Sequence, residues 1–232
     1  NMFFNMLHKR GMSAGRMGNH ASAMRMLCRM IGKADIVPSN RVLGCSRDVA
    51  NRTKYADIRL DAEKAADVRS HLSENHQIAY DLARYFGLRQ KESLLSHKVV
   101  SRDGGNFLVV EGAKGGRPRQ VPVTNDKQRE VLQRNSEYRV AHGGKLIDRD
   151  KSLKQGMKAL QNELAAAGAS RESRANMHAN RREYIIEQCQ EIVKAPEHMR
   201  QQMVDELVDR IGHGRQEVIR CYTLILTITV TI

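Results

Sequence analysis

The chain has four cysteines, Cys28, Cys45, Cys189 and Cys221, and no two of them form a C-x-x-C pair. That spacing excludes a zinc knuckle and a thioredoxin-type redox motif. The histidines give no metal-ligand spacing either, since His71 and His76 stand across an expected helix break. Neither a metal nor another cofactor is expected. No leader-like segment opens the sequence, and isolated thiols suit a reducing bacterial cytoplasm, here close to the nucleoid. The apolar run 223–232 is too short to span a bilayer as a helix, so no membrane role is expected. Internal repeats and low-complexity tracts are also missing. What the sequence has in excess is positive charge. Lys and Arg number 39 against 26 Asp and Glu, for a net charge of +13. Such a balance favours a polyanionic partner, nucleic acid first.

Along the 232 residues the pattern changes several times. Residues 1–35 hold seven of the eleven methionines, interleaved with Lys9, Arg10, Arg16, Arg25 and Arg29. The spacing of Ala23, Met26, Leu27 and Met30 predicts an amphipathic helix over 20–31. This segment reads either as a small helical DNA clamp or as an adaptable methionine core with basic edges. Asn1 is not an initiator methionine, which leaves a longer parent chain open. Residues 36–56 are polar and basic and read as a linker. From 57 onward a larger unit is expected. Helices are predicted over 61–72 and 74–86, the second capped by Ser73. A hairpin of strands 98–101 and 106–110 follows, with a third strand over 119–123 after a glycine-rich loop. Helices are then predicted over 126–140, 151–167, 174–191, 197–210 and 215–222. The fold class is therefore mainly α with a small three-stranded antiparallel β-sheet (α+β). The β-branched tail 223–232 reads as a strand, packed on its own sheet or added to a neighbouring protomer.

Four places could carry chemistry. Arg89, in Gly87-Leu88-Arg89-Gln90-Lys91-Glu92, stands between two helices. Lys114 lies at the tip of the glycine-rich turn. His178 and Arg181 are three apart on one helix. His213, after Ile211-Gly212, precedes Tyr222 by nine residues. The order Arg, Lys, His-x-x-Arg, Gly-His, Tyr resembles the active-site signature of the tyrosine recombinase (phage integrase) family. The resemblance covers 57–222 and, more loosely, the first segment. Two departures stand out: Arg182 occupies a place where many relatives have a second histidine, and the stretch from Arg181 to His213 is long. An extra helix opened by Pro196 accounts for the added length.

The resemblance implies a partial core-binding segment (1–35), a basic linker (36–56), a catalytic domain (57–222) and a C-terminal tail (223–232). The chemistry it implies is phosphodiester transesterification. Two guanidiniums, Arg89 and Arg181, suit the non-bridging phosphate oxygens, because they are permanently charged and forked. Tyr222 would be the nucleophile, its phenol a far better leaving group than an aliphatic alcohol. By resemblance Lys114 would protonate the leaving 5′ oxygen, His178 would handle the tyrosine proton, and His213 would bond the phosphate. Arg117, Arg119, Arg171, Arg174 and Arg182 are expected on the DNA backbone. The implied partners are double-stranded attachment sites, further copies of the chain in a tetramer on synapsed DNA, and DNA-bending accessory proteins. A type IB topoisomerase and a non-catalytic DNA-binding relative are the rival readings.

Overall fold

The computed structural model describes residues 2–46, 59–95, 97–111 and 118–212. The chain divides into two compact units, Asn1–Tyr55 and Ala56–Ile232. In the first, helix α1 (Met2–Lys9) and helix α2 (Ala14–Met30) are followed by a 3-10 turn, Ala34–Ile36. Phe4 and Leu7 of α1 pack with Met17 and Ala21 of α2, and Val37, Leu43 and Cys45 close the small core. The expected helix is thus present but longer, and its buried face differs. Met17 and Ala21 are inside with Met24 and Cys28 beside them, whereas Met26, Leu27 and Met30 are exposed. The stretch after residue 36 is not bare linker, because Val37, Leu43 and Cys45 belong to this core. Arg25 is turned inward as well, donating to Asn40 Oδ1 at 3.0 Å and to the Pro38 carbonyl.

The second unit is helical around one small sheet. Helix α3 (Ala62–Ser70) leads to α4 (Glu74–Phe86), which ends at Gly87, followed by the single turn α5 (Gln90–Ser93). Strands β1 (Lys98–Arg102), β2 (Gly105–Val110) and β3 (Arg119–Pro122) form an antiparallel sheet in sequential order. Arg102 pairs with Gly105, leaving Asp103 and Gly104, both at positive φ, as a two-residue turn that matches strand twist. Helices α6 (Asp126–Ala141), α7 (Leu153–Ala166), α8 (Met177–Lys194) and α9 (Glu197–Arg210) complete the described part. Pro196 starts α9, as the long interval after Arg181 implies. No helix among the described residues is long and apolar enough to cross a membrane.

Helix α4 is the axis of this unit and buries two faces. Ile78, Leu82 and Phe86 meet Leu108, Val110 and Val121 of the sheet together with Ile185 of α8 and Leu207 of α9. Ala79, Tyr80 and Ala83 meet Val68 of α3 and Leu160 of α7. A helix apolar on two sides is what a position between layers requires. Ser73 precedes α4 as expected, yet its hydroxyl donates to Glu163 at 2.8 Å instead of capping the helix.

Candidate active site

The turn from α4 into α5 aims the first arginine. Gly87 takes a left-handed conformation, φ 63°, and a Cβ there would lie 2.5 Å from Tyr184 Cδ1. Glycine is therefore required both by backbone angle and by space. Its carbonyl accepts a hydrogen bond from Arg181. Two residues on, Arg89 sits at the N-terminus of α5 and Glu92 folds back onto it. Glu92 Oε2 accepts from the Arg89 amide at 2.7 Å, and Oε1 from the Arg89 guanidinium at 2.8 Å.

Glu92 is the hub of the site. Arg119, on β3, donates to both its oxygens, at 3.1 and 2.7 Å. Arg181, in the first turns of α8, approaches Oε2 at 4.0 Å. Three guanidiniums thus surround one carboxylate that is almost fully buried. Burial alone pushes the Glu92 pKa up, but the bonds and charges of Arg119 and Arg89 overcome it and hold the carboxyl at about 2. The same three arginines donate to three consecutive carbonyls at the end of α9. Arg119 Nε bonds Arg210 O at 2.7 Å, Arg181 bonds Ile211 O at 2.6 Å, and Arg89 bonds Gly212 O at 2.9 Å. A helix C-terminus carries partial negative charge and orphan carbonyls, so cations are favoured there. The end of α9, through Gly212, is thereby held against both expected catalytic arginines.

His178 and Arg181 share the first turns of α8 but differ in burial. Arg181 is 4% exposed, while the His178 ring keeps access to solvent. Partial desolvation lowers the His178 pKa, and the charges of Arg182, Arg181 and Arg171 lower it further. Both effects favour the neutral imidazole, the form that accepts a proton. Arg89 keeps about a quarter of its side chain exposed, 26%, against 5% each for Arg119 and Arg181.

Of the arginines expected on the DNA backbone, Arg171 and Arg174 are exposed and Arg182 is half-buried. Arg119 differs from them: its guanidinium is interior and engaged by Glu92 and the Arg210 carbonyl. Nothing in the sequence pattern distinguishes it from its neighbours on the lysine turn. Lys114, Arg117, His213 and Tyr222 lie outside the described residues. No cluster of three or more metal-ligating side chains occurs among the described residues.

A sequence model of the family described as Integrase matches residues 44–187. The chain belongs to the integrase, or tyrosine recombinase, family. The matched region contains Arg89, Lys114, His178 and Arg181, and its helical frame with one three-stranded sheet is the fold described above. His213 and Tyr222 stand beyond the end of the match. No curated protein matches this integrase-family chain. Membership places it among DNA integrases and recombinases, proteins that bind DNA.

Proposed function

We propose that the chain is a site-specific DNA recombinase of a mobile element, cutting and rejoining strands through a 3′-phosphotyrosine. The observation that carries this reading is the meeting of Arg89 and Arg181 on one carboxylate, Glu92, although they are far apart in sequence. Beside them, on α8, stands a histidine with a lowered pKa. Two fixed cations and a neutral imidazole are what a phosphoryl transfer needs for charge stabilisation and proton uptake.

In the proposed reaction the Tyr222 oxygen attacks the scissile phosphorus. The new bond joins tyrosine to phosphorus, and the bond from phosphorus to the 5′ oxygen breaks. His178 takes the phenol proton, and Lys114 gives one to the departing 5′ oxygen. Arg89, the most exposed of the three arginines, holds a non-bridging oxygen directly, and Arg181 supports it from deeper in the fold. His213 bonds the same phosphate. A 5′ hydroxyl from a partner duplex then reverses the step, so the bond energy is conserved. Four copies on synapsed sites, helped by DNA-bending proteins, would complete the exchange, with the tail 223–232 adding to a neighbour.

Trapping on nicked suicide DNA carrying the attachment site tests the proposal. A covalent band on a denaturing gel is expected with the native chain and none with Tyr222→Phe. A band that persists in the variant would exclude Tyr222 as nucleophile. Relaxation of any supercoiled plasmid, without site dependence, would replace the recombinase reading with the topoisomerase one.

A further inference from the structure

Helix α8 carries both His178 and Arg181 in its first turns, and three consecutive residues ahead of α3 clasp it. Asp61, which also caps α3, donates its amide to the Arg174 carbonyl at 3.3 Å and meets the Arg174 guanidinium at 3.5 Å. The Leu60 amide donates to Glu183 Oε2 at 3.0 Å. Arg59 Nε reaches both Glu183 oxygens at 3.0 Å, and its Nη2 donates to Oε1 as well. Residues 59–61 thus hold position 174, just before the helix, and position 183 within it. His178 and Arg181 lie between those two holds.

The Glu183 side chain is buried, so Arg59 and the Leu60 amide stand where water would. Burial pushes its pKa up, but the bonds from Arg59 and Leu60, with the charges of Arg59 and Arg84, hold it below the usual carboxylate value. At about 100° per residue, Glu183 stands about 200° round the helix from Arg181. It is therefore on the face opposite Arg181, which bonds the Gly87 and Ile211 carbonyls. One turn further on the Glu183 side, Glu187 accepts from both terminal nitrogens of Arg84 on α4, at 2.8 and 2.5 Å. A helix held by one face can still roll about its axis; held on opposite faces, it cannot. From its own face Glu183 acts on the chemistry only through where α8 puts His178 and Arg181.

We propose that Glu183, clasped by Arg59 and the Leu60 amide, is a positioning residue that sets the roll of α8 and thereby the aim of His178 and Arg181. Only what those two groups act on, a scissile phosphate, rests on the recombinase reading; their placement is a property of the free chain. In a helix about 10–12 Å across with its side chains, a roll of about 10° carries a side-chain tip about 1 Å. A misplacement of that size slows a chemical step by up to about 100-fold.

The test uses the full chain and the variants Glu183→Gln, Arg59→Leu and Arg59→Lys, each checked for folding by circular dichroism. In the free protein, Glu183→Gln and Arg59→Leu should shift the ring resonances of His178 and the Nε resonance of Arg181. Arg59→Lys, which keeps the charge, should leave them close to their native positions. On saturating suicide DNA carrying the attachment site, the first two variants should form the covalent complex at least tenfold more slowly, with the DNA Kd changed less than twofold. A merely structural ion pair would lower the unfolding midpoint and leave resonances and rate in place, and that result would overturn the proposal. So would a slowing that disappears at saturating DNA, since only binding would then have been lost. If the native chain forms no covalent complex, the recombinase reading falls, and the resonances alone decide whether Glu183 positions His178. The Arg59 side chain is 42% exposed, so Arg59→Leu carries the comparison if Glu183→Gln does not fold.

Discussion

Three guanidiniums around one carboxylate would be an unstable arrangement if the carboxylate were neutral. Glu92 is buried among Arg89, Arg119 and Arg181, so its negative charge is the counterweight for all three. The sign of its pH dependence follows from its pKa, depressed from about 4.5 to about 2. The stabilisation is complete above the unfolded value and is lost as pH falls through the folded one. A depression of that size corresponds to about 3 kcal/mol. In Glu92→Gln the hydrogen-bonding shape is nearly kept and the charge is removed. Leaving buried cations without their partner costs about 3–5 kcal/mol. Urea unfolding at pH 7 should show that loss. Repeated down to pH 2, it should show the native chain approaching the variant in stability. A gap that stays constant from pH 7 to pH 2 would mean that Glu92 is not the ionised hub.

Among the elements, α8 matters most, because its first turns carry both His178 and Arg181. Asn176 caps it, accepting from the Ala179 amide at 2.9 Å and donating to the Ser170 carbonyl at 2.9 Å. Asn176→Ala should therefore cost about 1 kcal/mol, the usual value of an N-cap. The loss should appear as faster amide exchange at 177–181, with the C-terminal half of α8 unaffected. Exchange rising evenly along the helix would instead mean that the cap supports the whole fold. The elements themselves were largely legible in the sequence, since period, caps and turn glycines are local signals. Helix α4 and the strand pairs fall close to where those signals put them. Helix α2 shows the limit. With methionines spread around its circumference, more than one stripe fits helical spacing, and packing against Phe4 and Leu7 chose Met17 and Ala21. The Glu92 cluster was illegible for another reason. It depends on contacts between β3, α5, α8 and the end of α9, and no local pattern distinguishes an arginine that pairs inward from one that meets phosphate.

At the scale of the whole molecule the question is how much of the +13 charge faces DNA. Formal charge overstates it, because several arginines are engaged inside the fold. Arg119 is bound to Glu92, and Arg69 and Arg134 share Asp81 at 2.7 and 2.9 Å. Arg171 and Arg174 are exposed just before α8, and under the proposed function they would meet the duplex that reaches His178. Counterion release separates the two classes, since each phosphate neutralised adds about 0.9 to the slope of log affinity against log salt. Arg171→Ala and Arg174→Ala should each lower that slope by about 0.9 and weaken binding to any sequence alike. Arg119→Gln should leave the slope unchanged as long as circular dichroism shows it folded, because its charge never met a phosphate. A slope that falls in Arg119→Gln as much as in the other two would mean that Arg119 leaves Glu92 when DNA binds, and the cluster would then be a switch that opens onto the phosphate.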